Sequence, residues 1–123
     1  MNEVQSAEEI KRLTAPFFEK GFSFEYTYQK GGDSSCVYVY RFKKGGDCFE
    51  WRETSGTYEI HLVVRVNGEF RFPDLYKKYP KQRRAFALKH FFRAATVDEK
   101  RAFFASLLCM ELENSSDFFG IPL

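Results

Sequence analysis

From residue 22 to residue 72 apolar and polar side chains alternate, and glycine-bearing turns cut the alternation into short runs. Phe22, Phe24, Tyr26 and Tyr28 alternate with Ser23, Glu25, Thr27 and Gln29. The same period recurs at Cys36, Tyr38, Tyr40 and Phe42, then at Phe49 and Trp51, then at Tyr58, Ile60, Leu62, Val64 and Val66. A period of two sends successive side chains to opposite faces of a pleated strand. The separators are Lys30-Gly31-Gly32-Asp33, Lys44-Gly45-Gly46-Asp47, Thr54-Ser55-Gly56 and Asn67-Gly68, short enough to return each strand beside the last. This pattern predicts a four- to five-stranded antiparallel meander.

Register follows from the side chains, because a one-residue slip would turn an apolar face into water. Pairing Phe42 with Phe49 sets Tyr40 beside Trp51 and, on the other face, Arg41 beside Glu50. Pairing Trp51 with Ile60 and Phe49 with Leu62 sets Arg52 beside Glu59 and Glu50 beside His61. Across Asn67-Gly68, a three-residue connection through Glu69 keeps Phe70 and Phe72 on the face of Val64 and Val66. One face is then aromatic and aliphatic, the other charged, and only the first needs cover.

Segments of helical period supply that cover. Ser6-Ala7-Glu8-Glu9 has the form of a capping box ahead of Ile10, Leu13 and Phe17, with Pro16 bending or ending the helix and Gly21 stopping it. Pro73 opens a short helical turn that Pro80 ends or redirects. A second helix is expected from about Lys81 to Ala95, and Thr96-Val97-Asp98-Glu99 opens a third that reaches about Asn114. The arc Ala85, Leu88, Phe91, Phe92 and Ala95 reads as core packing. The third helix is apolar on two sides, with Val97, Phe104, Leu108 and Leu112 in one stripe and Phe103, Leu107 and Met110 in another. The tail, Phe118 to Leu123, is also apolar. The expectation is a single α+β domain over residues 1–123, with an N-terminal helix and two to three C-terminal helices on one face of the sheet. With 44% apolar residues the chain has ample material for one core.

Charge is distributed unevenly. Between Leu75 and Val97 there is no acid, and Lys77, Lys78, Lys81, Arg83, Arg84, Lys89 and Arg93 give the segment +7. The other residues hold 12 bases against 17 acids, a balance of −5. Lys81, Arg83 and Arg84 also crowd the first turn of the second helix, where the helix dipole disfavours cations. Such a segment can meet nucleic-acid phosphates, another polyanion or an acidic protein surface, and Tyr76, Tyr79 and Phe86 can stack on bases. The plainer explanation is a solvated helix face, and no nucleic-acid-binding motif is present.

On the polar sheet face the register lines up Arg41, Glu50 and His61. A carboxylate that holds an imidazole is how enzymes prepare a general base, but no nucleophile is placed beside this pair, although Cys48 shares its face. Opposite charges across strands are also ordinary sheet stabilisers. The repeated Lys-Gly-Gly-Asp belongs to hairpin turns at opposite ends of the meander and matches no phosphate or EF-hand loop. Three cysteines at wide spacing and His90 without a companion give neither a disulfide framework nor a metal site.

No cofactor is expected. The amino-terminal residues lack the charge and apolar pattern of a signal peptide, and no stretch is long enough to span a bilayer, so the sequence reads as cytoplasmic with no membrane partner. The leading expectation is a non-catalytic protein-interaction or regulatory module, binding another protein or forming a homodimer, motivated by the two-sided third helix and the apolar tail. The alternatives are nucleic-acid or polyanion binding through residues 77–93, and a small enzyme built on His61 and Glu50.

Overall fold

A computed structural model describes residues 3–30, 36–54 and 59–123. The alternating segment forms β1 (Ser23–Lys30), β2 (Cys36–Lys44), β3 (Asp47–Thr54), β4 (Ile60–Val66) and β5 (Glu69–Arg71), paired antiparallel in that order. Before the sheet stand α1 (Glu3–Leu13) and α2 (Ala15–Glu19). After it come α3 (Leu75–Lys78), α4 (Pro80–Lys89), α5 (Val97–Asn114) and a small hairpin of β6 (Asp117–Phe118) and β7 (Ile121–Pro122). The fold is α+β, as the sequence predicts. The turns expected at Gly31–Asp33 and at Ser55-Gly56 lie outside the described residues.

The β2–β3 register is the expected one. Phe42 faces Phe49, with rings stacked 4.5 Å apart and 5° from parallel, and Arg41 faces Glu50. Between β3 and β4 the pairing is displaced by two residues: Phe49 faces Val64, Trp51 faces Leu62 and Glu53 faces Ile60. A two-residue displacement keeps every side chain on its face, so the apolar pattern is indifferent to it. The ladder runs from Cys48–Arg65 to Glu53–Ile60 and is closed by a hydrogen bond from Thr54 N–H to the Glu59 carbonyl. At the next turn the expectation fails by one residue. Asn67 (φ 52°) and Gly68 (φ 79°) both take positive φ, which makes a tight two-residue turn with Val66 facing Glu69. Phe70 therefore faces Arg65 on the polar side, and Phe72, beyond the end of β5, is exposed.

Helices cover the aromatic face except along β1, where Tyr26 and Tyr28 are exposed. Phe17, fully buried on α2, meets the rings of Phe22, Phe42, Phe49 and Phe118 at 5.0–5.9 Å between centroids. Pro16 separates α2 from α1, and α2 ends on Gly21 (φ 93°), where Gly21 N–H and Phe22 N–H return to the carbonyls of Phe18 and Phe17. Ser6 is not a cap, because α1 already begins at Glu3 and places Ser6 inside it. The Thr96–Glu99 capping box is present in both directions.

The two apolar sides of α5 are both satisfied within the chain. Phe104 meets Trp51 edge-on at 4.9 Å, while on the other side Phe103 stacks on Phe86 at 4.2 Å. The tail also turns inward, with Phe118 and Ile121 fully buried and Arg71 donating to the Phe119 carbonyl. Both features are thus engaged mainly within the chain, with Phe103 and Met110 of α5 left half-buried.

Two buried acids tie α5 to its neighbours. Glu53 continues the core face of β3 past Phe49 and Trp51 and is only 3% exposed. It accepts from Arg101 Nη2 at 2.8 Å and Nε at 2.9 Å, and from the Trp51 indole at 2.9 Å. Near the other end, buried Glu111 accepts from Lys78 Nζ, from the Tyr79 hydroxyl at 2.7 Å and from Ser115, which fastens α3. Burial and this carboxylate push the Tyr79 hydroxyl up to about 12.

Removing one partner of a buried pair strands the other charge. Arg101→Ala is therefore expected to cost about 3–5 kcal/mol in denaturant unfolding, whereas Arg101→Met combined with Glu53→Leu should cost much less. A loss below about 1 kcal/mol for Arg101→Ala would show that the pair does not hold α5.

Candidate interaction surfaces

The helix α4 meets the rest of the chain along a narrow line. Phe86 reaches Phe103, and none of α4's residues is buried. The arc assigned to core from the sequence instead faces outward: Leu88 is 75% exposed, Phe91 74% and Phe92 97%. The reason is local. The helix stops at Lys89, so Phe91 and Phe92 lie beyond its end, stacked edge-on against each other. Phe86 and Leu88 are only two positions apart and cannot share a helical face, so docking through Phe86 turns Leu88 away.

The seven cations of this segment do not form one sheet of charge. Lys78 is bound to Glu111, Arg83 lies over the Tyr76 ring at 5.6 Å, and Arg93 approaches Glu99 at 3.6 Å. Lys77, Lys81, Arg84 and Lys89 have no carboxylate partner among the described residues. Lys81, Arg84 and Leu88 follow one another at helical spacing, so basic and apolar side chains share the outer face of α4.

Between α4, α5 and the edge of β4 lies a cleft of about 690 Å³. Leu62, Phe72, Tyr76, Phe86, Phe103 and Phe104 line it, with Arg83, Lys100 and His61 at its polar positions. It exists because β5 pairs with Val64–Val66 alone, after which Pro73 diverts the chain into α3. Asp74 caps α3 by accepting from the N–H groups of Tyr76 and Lys77. The missed signals are the run Phe70-Arg71-Phe72-Pro73, which shortens β5, and the pair Phe86 and Phe103.

The expected row Arg41–Glu50–His61 is not assembled. Glu50 faces Val63, while His61 faces Arg52 and approaches Glu59 at 3.4 Å. A separate recess of about 360 Å³ on the polar face takes in Arg41, Cys48, Glu50, Arg52, Arg65 and Phe70, and His61 is not part of it. Within it Glu50 is bound by Arg41 Nε at 2.8 Å and by Arg52 Nη2 at 2.6 Å, and Arg41 continues to Glu25 at 2.8 Å. Burial opposes the Glu50 charge, but the two guanidiniums outweigh it and hold the carboxyl below the ordinary glutamate range. Both oxygens of this carboxylate are thus committed to guanidinium N–H groups. Burial pushes the Cys48 thiol up, away from the thiolate that a nucleophile needs.

Among the described residues no three His, Cys, Asp or Glu converge on a metal position, and no helix is long and apolar enough to cross a membrane. Compared with protein-family models, curated proteins and solved structures, the chain matches none.

Glu50 and Glu111 both ionise more readily in the folded chain than a free glutamate does; for Glu111, too, burial is outweighed, there by Lys78, Tyr79 and Ser115. A depressed folded value means that the stability these acids contribute is present above the unfolded value and is lost as pH falls through the folded one. Unfolding free energy is expected to decline as pH drops below about 4.5, and Glu50→Gln or Glu111→Gln should flatten that decline. Equal acid sensitivity in the parent and both variants would contradict this.

Proposed function

We propose that the chain is a non-catalytic protein-interaction module whose contact surface is the outer face of α4 with the residues that follow it. The observation that carries this reading is the exposure of Leu88, Phe91 and Phe92 together, in a chain that buries both sides of α5 and its own tail. Clustered exposed apolar side chains rimmed by polar groups mark association sites, and burying a Phe or Leu is worth about 1.5–3 kcal/mol each. Lys81, Arg84 and Lys89 supply the rim, so a partner with acids around an apolar centre fits best. The division of Glu50 and His61 between two recesses supports the non-catalytic part of the reading.

A second reading, polyanion binding, draws support from the five cations of residues 77–89 that lack carboxylate partners among the described residues. The two are separated by which substitutions matter. With a photo-crosslinking phenylalanine analogue at position 92, a discrete protein adduct, to a second copy or to another protein, is expected. Leu88→Asp should abolish it while changing stability by no more than about 0.5 kcal/mol. Adducts to nucleic acid that vanish with Arg84→Glu or with salt, yet survive Leu88→Asp, would overturn the interaction reading in favour of the second.

A further inference from the structure

We infer that the cleft beside β4 receives an extended peptide segment of a partner protein, which pairs as an added strand with Ile60 and Leu62 and carries an apolar side chain flanked by acids. The inference rests on the interaction reading but uses a different surface from the outer face of α4.

The backbone makes the first part of the case. Val66 and Val64 are the residues of β4 that face Glu69 and Arg71 across the tight turn. Hydrogen-bonding direction alternates along an antiparallel ladder, so Leu62 and Ile60, of the same parity, send their N–H and C=O groups to that same edge. There β5 has ended, and no strand among the described residues takes its place. An unpaired strand edge is normally blunted by proline, lysine or a covering element. Residues 60–63 (Ile-His-Leu-Val) include neither proline nor lysine. The edge instead borders the cleft, where Ile60 and Leu62 keep only 8% and 5% of their surface exposed, so the guest approaches them through the cleft.

The cleft sets the second requirement. Side chains alternate on an added strand, so every other residue of the guest enters the space against Phe103, Phe104 and Phe86. A volume of about 690 Å³ accepts large apolar groups there. The edge from Ile60 to Val63 matches a guest of about four residues at about 3.3 Å each.

Charge selects the guest. Arg83 and Lys100 border the cleft and have no carboxylate partner among the described residues, whereas of the cleft's own acids Asp74 is taken up by the α3 cap and Glu59, largely exposed at the rim, approaches His61 at 3.4 Å. Acids beside the apolar residue complete this arrangement. A second copy of the chain is the poorer guest, since pairing the same edge about a two-fold axis brings two basic α4 segments together.

Panning a random-peptide phage library on the purified protein tests the inference. Enriched peptides are expected to carry an apolar residue next to Asp or Glu, and their binding should slow hydrogen exchange at the Ile60 and Leu62 amides. N-methylation of alternate peptide amides and Ala87→Trp, which fills the cleft from an exposed helical position, should each weaken binding roughly tenfold or more. Arg83→Glu with Lys100→Glu should shift the enrichment toward Lys and Arg. No enrichment, indifference to N-methylation, or unchanged exchange at Ile60 and Leu62 would overturn the inference. Binding lost with Phe92→Asp but kept with Ala87→Trp would also overturn it, while leaving the interaction reading in place. Failure of that reading is instead seen at position 92, in the crosslinking to nucleic acid described above.

Discussion

Arg101 and Glu53 meet across the interface between α5 and the sheet, both buried, and tie that helix to β3. Glu53 stands in line with Phe49 and Trp51 on the core face of β3, where a lone carboxylate would be untenable. The arginine answers it with a two-pronged contact, and the Trp51 indole adds a third donor. Such a pair adds little net stability over a hydrophobic equivalent, but it penalises any other placement of the helix. Phe103 and Phe104 lie two and three residues after Arg101, so this turn of α5 also carries the aromatic wall of the cleft.

With α5 anchored, the apolar surface of the chain divides into satisfied and unsatisfied parts. The sheet's aromatic face, both sides of α5 and the tail hairpin close on one another in one core cluster. What remains outside includes Tyr26 and Tyr28 at the β1 edge and Phe70 on the polar face, and gathers most at the outer face of α4 with Phe91 and Phe92 and at the cleft at the end of β5. These last two lie next to the basic segment. Apolar contact and positive charge thus occur together, which is the composition of a surface that meets an acidic partner.

Much of this was legible in the sequence where local chemistry had one solution. The alternation and the glycine turns specify the meander, and the Phe42–Phe49 pairing across Gly45-Gly46 holds in the structure. Period-two reasoning cannot detect a two-residue displacement, which is why His61 comes to lie beside Arg52 and the supposed catalytic row dissolves. At Asn67-Gly68 the apolar pattern favours Phe70 on the core face, but the two-residue turn preferred by Asn-Gly prevails and sets Phe70 opposite Arg65. Leu88, Phe91 and Phe92 were assigned to core because apolar residues at helical spacing usually are. Where a helix docks is decided by tertiary fit, here through Phe86, and that is not written in its own period. Glu53 and Arg101 were readable in principle: each is a charge standing in an apolar stripe, Glu53 after Trp51 and Arg101 between Val97 and Phe104.

The chain buries the rings that line its core and leaves Leu88, Phe91 and Phe92, at α4, open to solvent. Hydroxyl-radical footprinting of the dilute monomer, resolved by peptide mass spectrometry, tests it most directly. The account requires Leu88, Phe91 and Phe92 to be modified rapidly while Phe17, Phe42, Phe49 and Phe118 remain protected. Protection of Phe91 and Phe92 to the level of Phe17 would place them in the core and contradict the account.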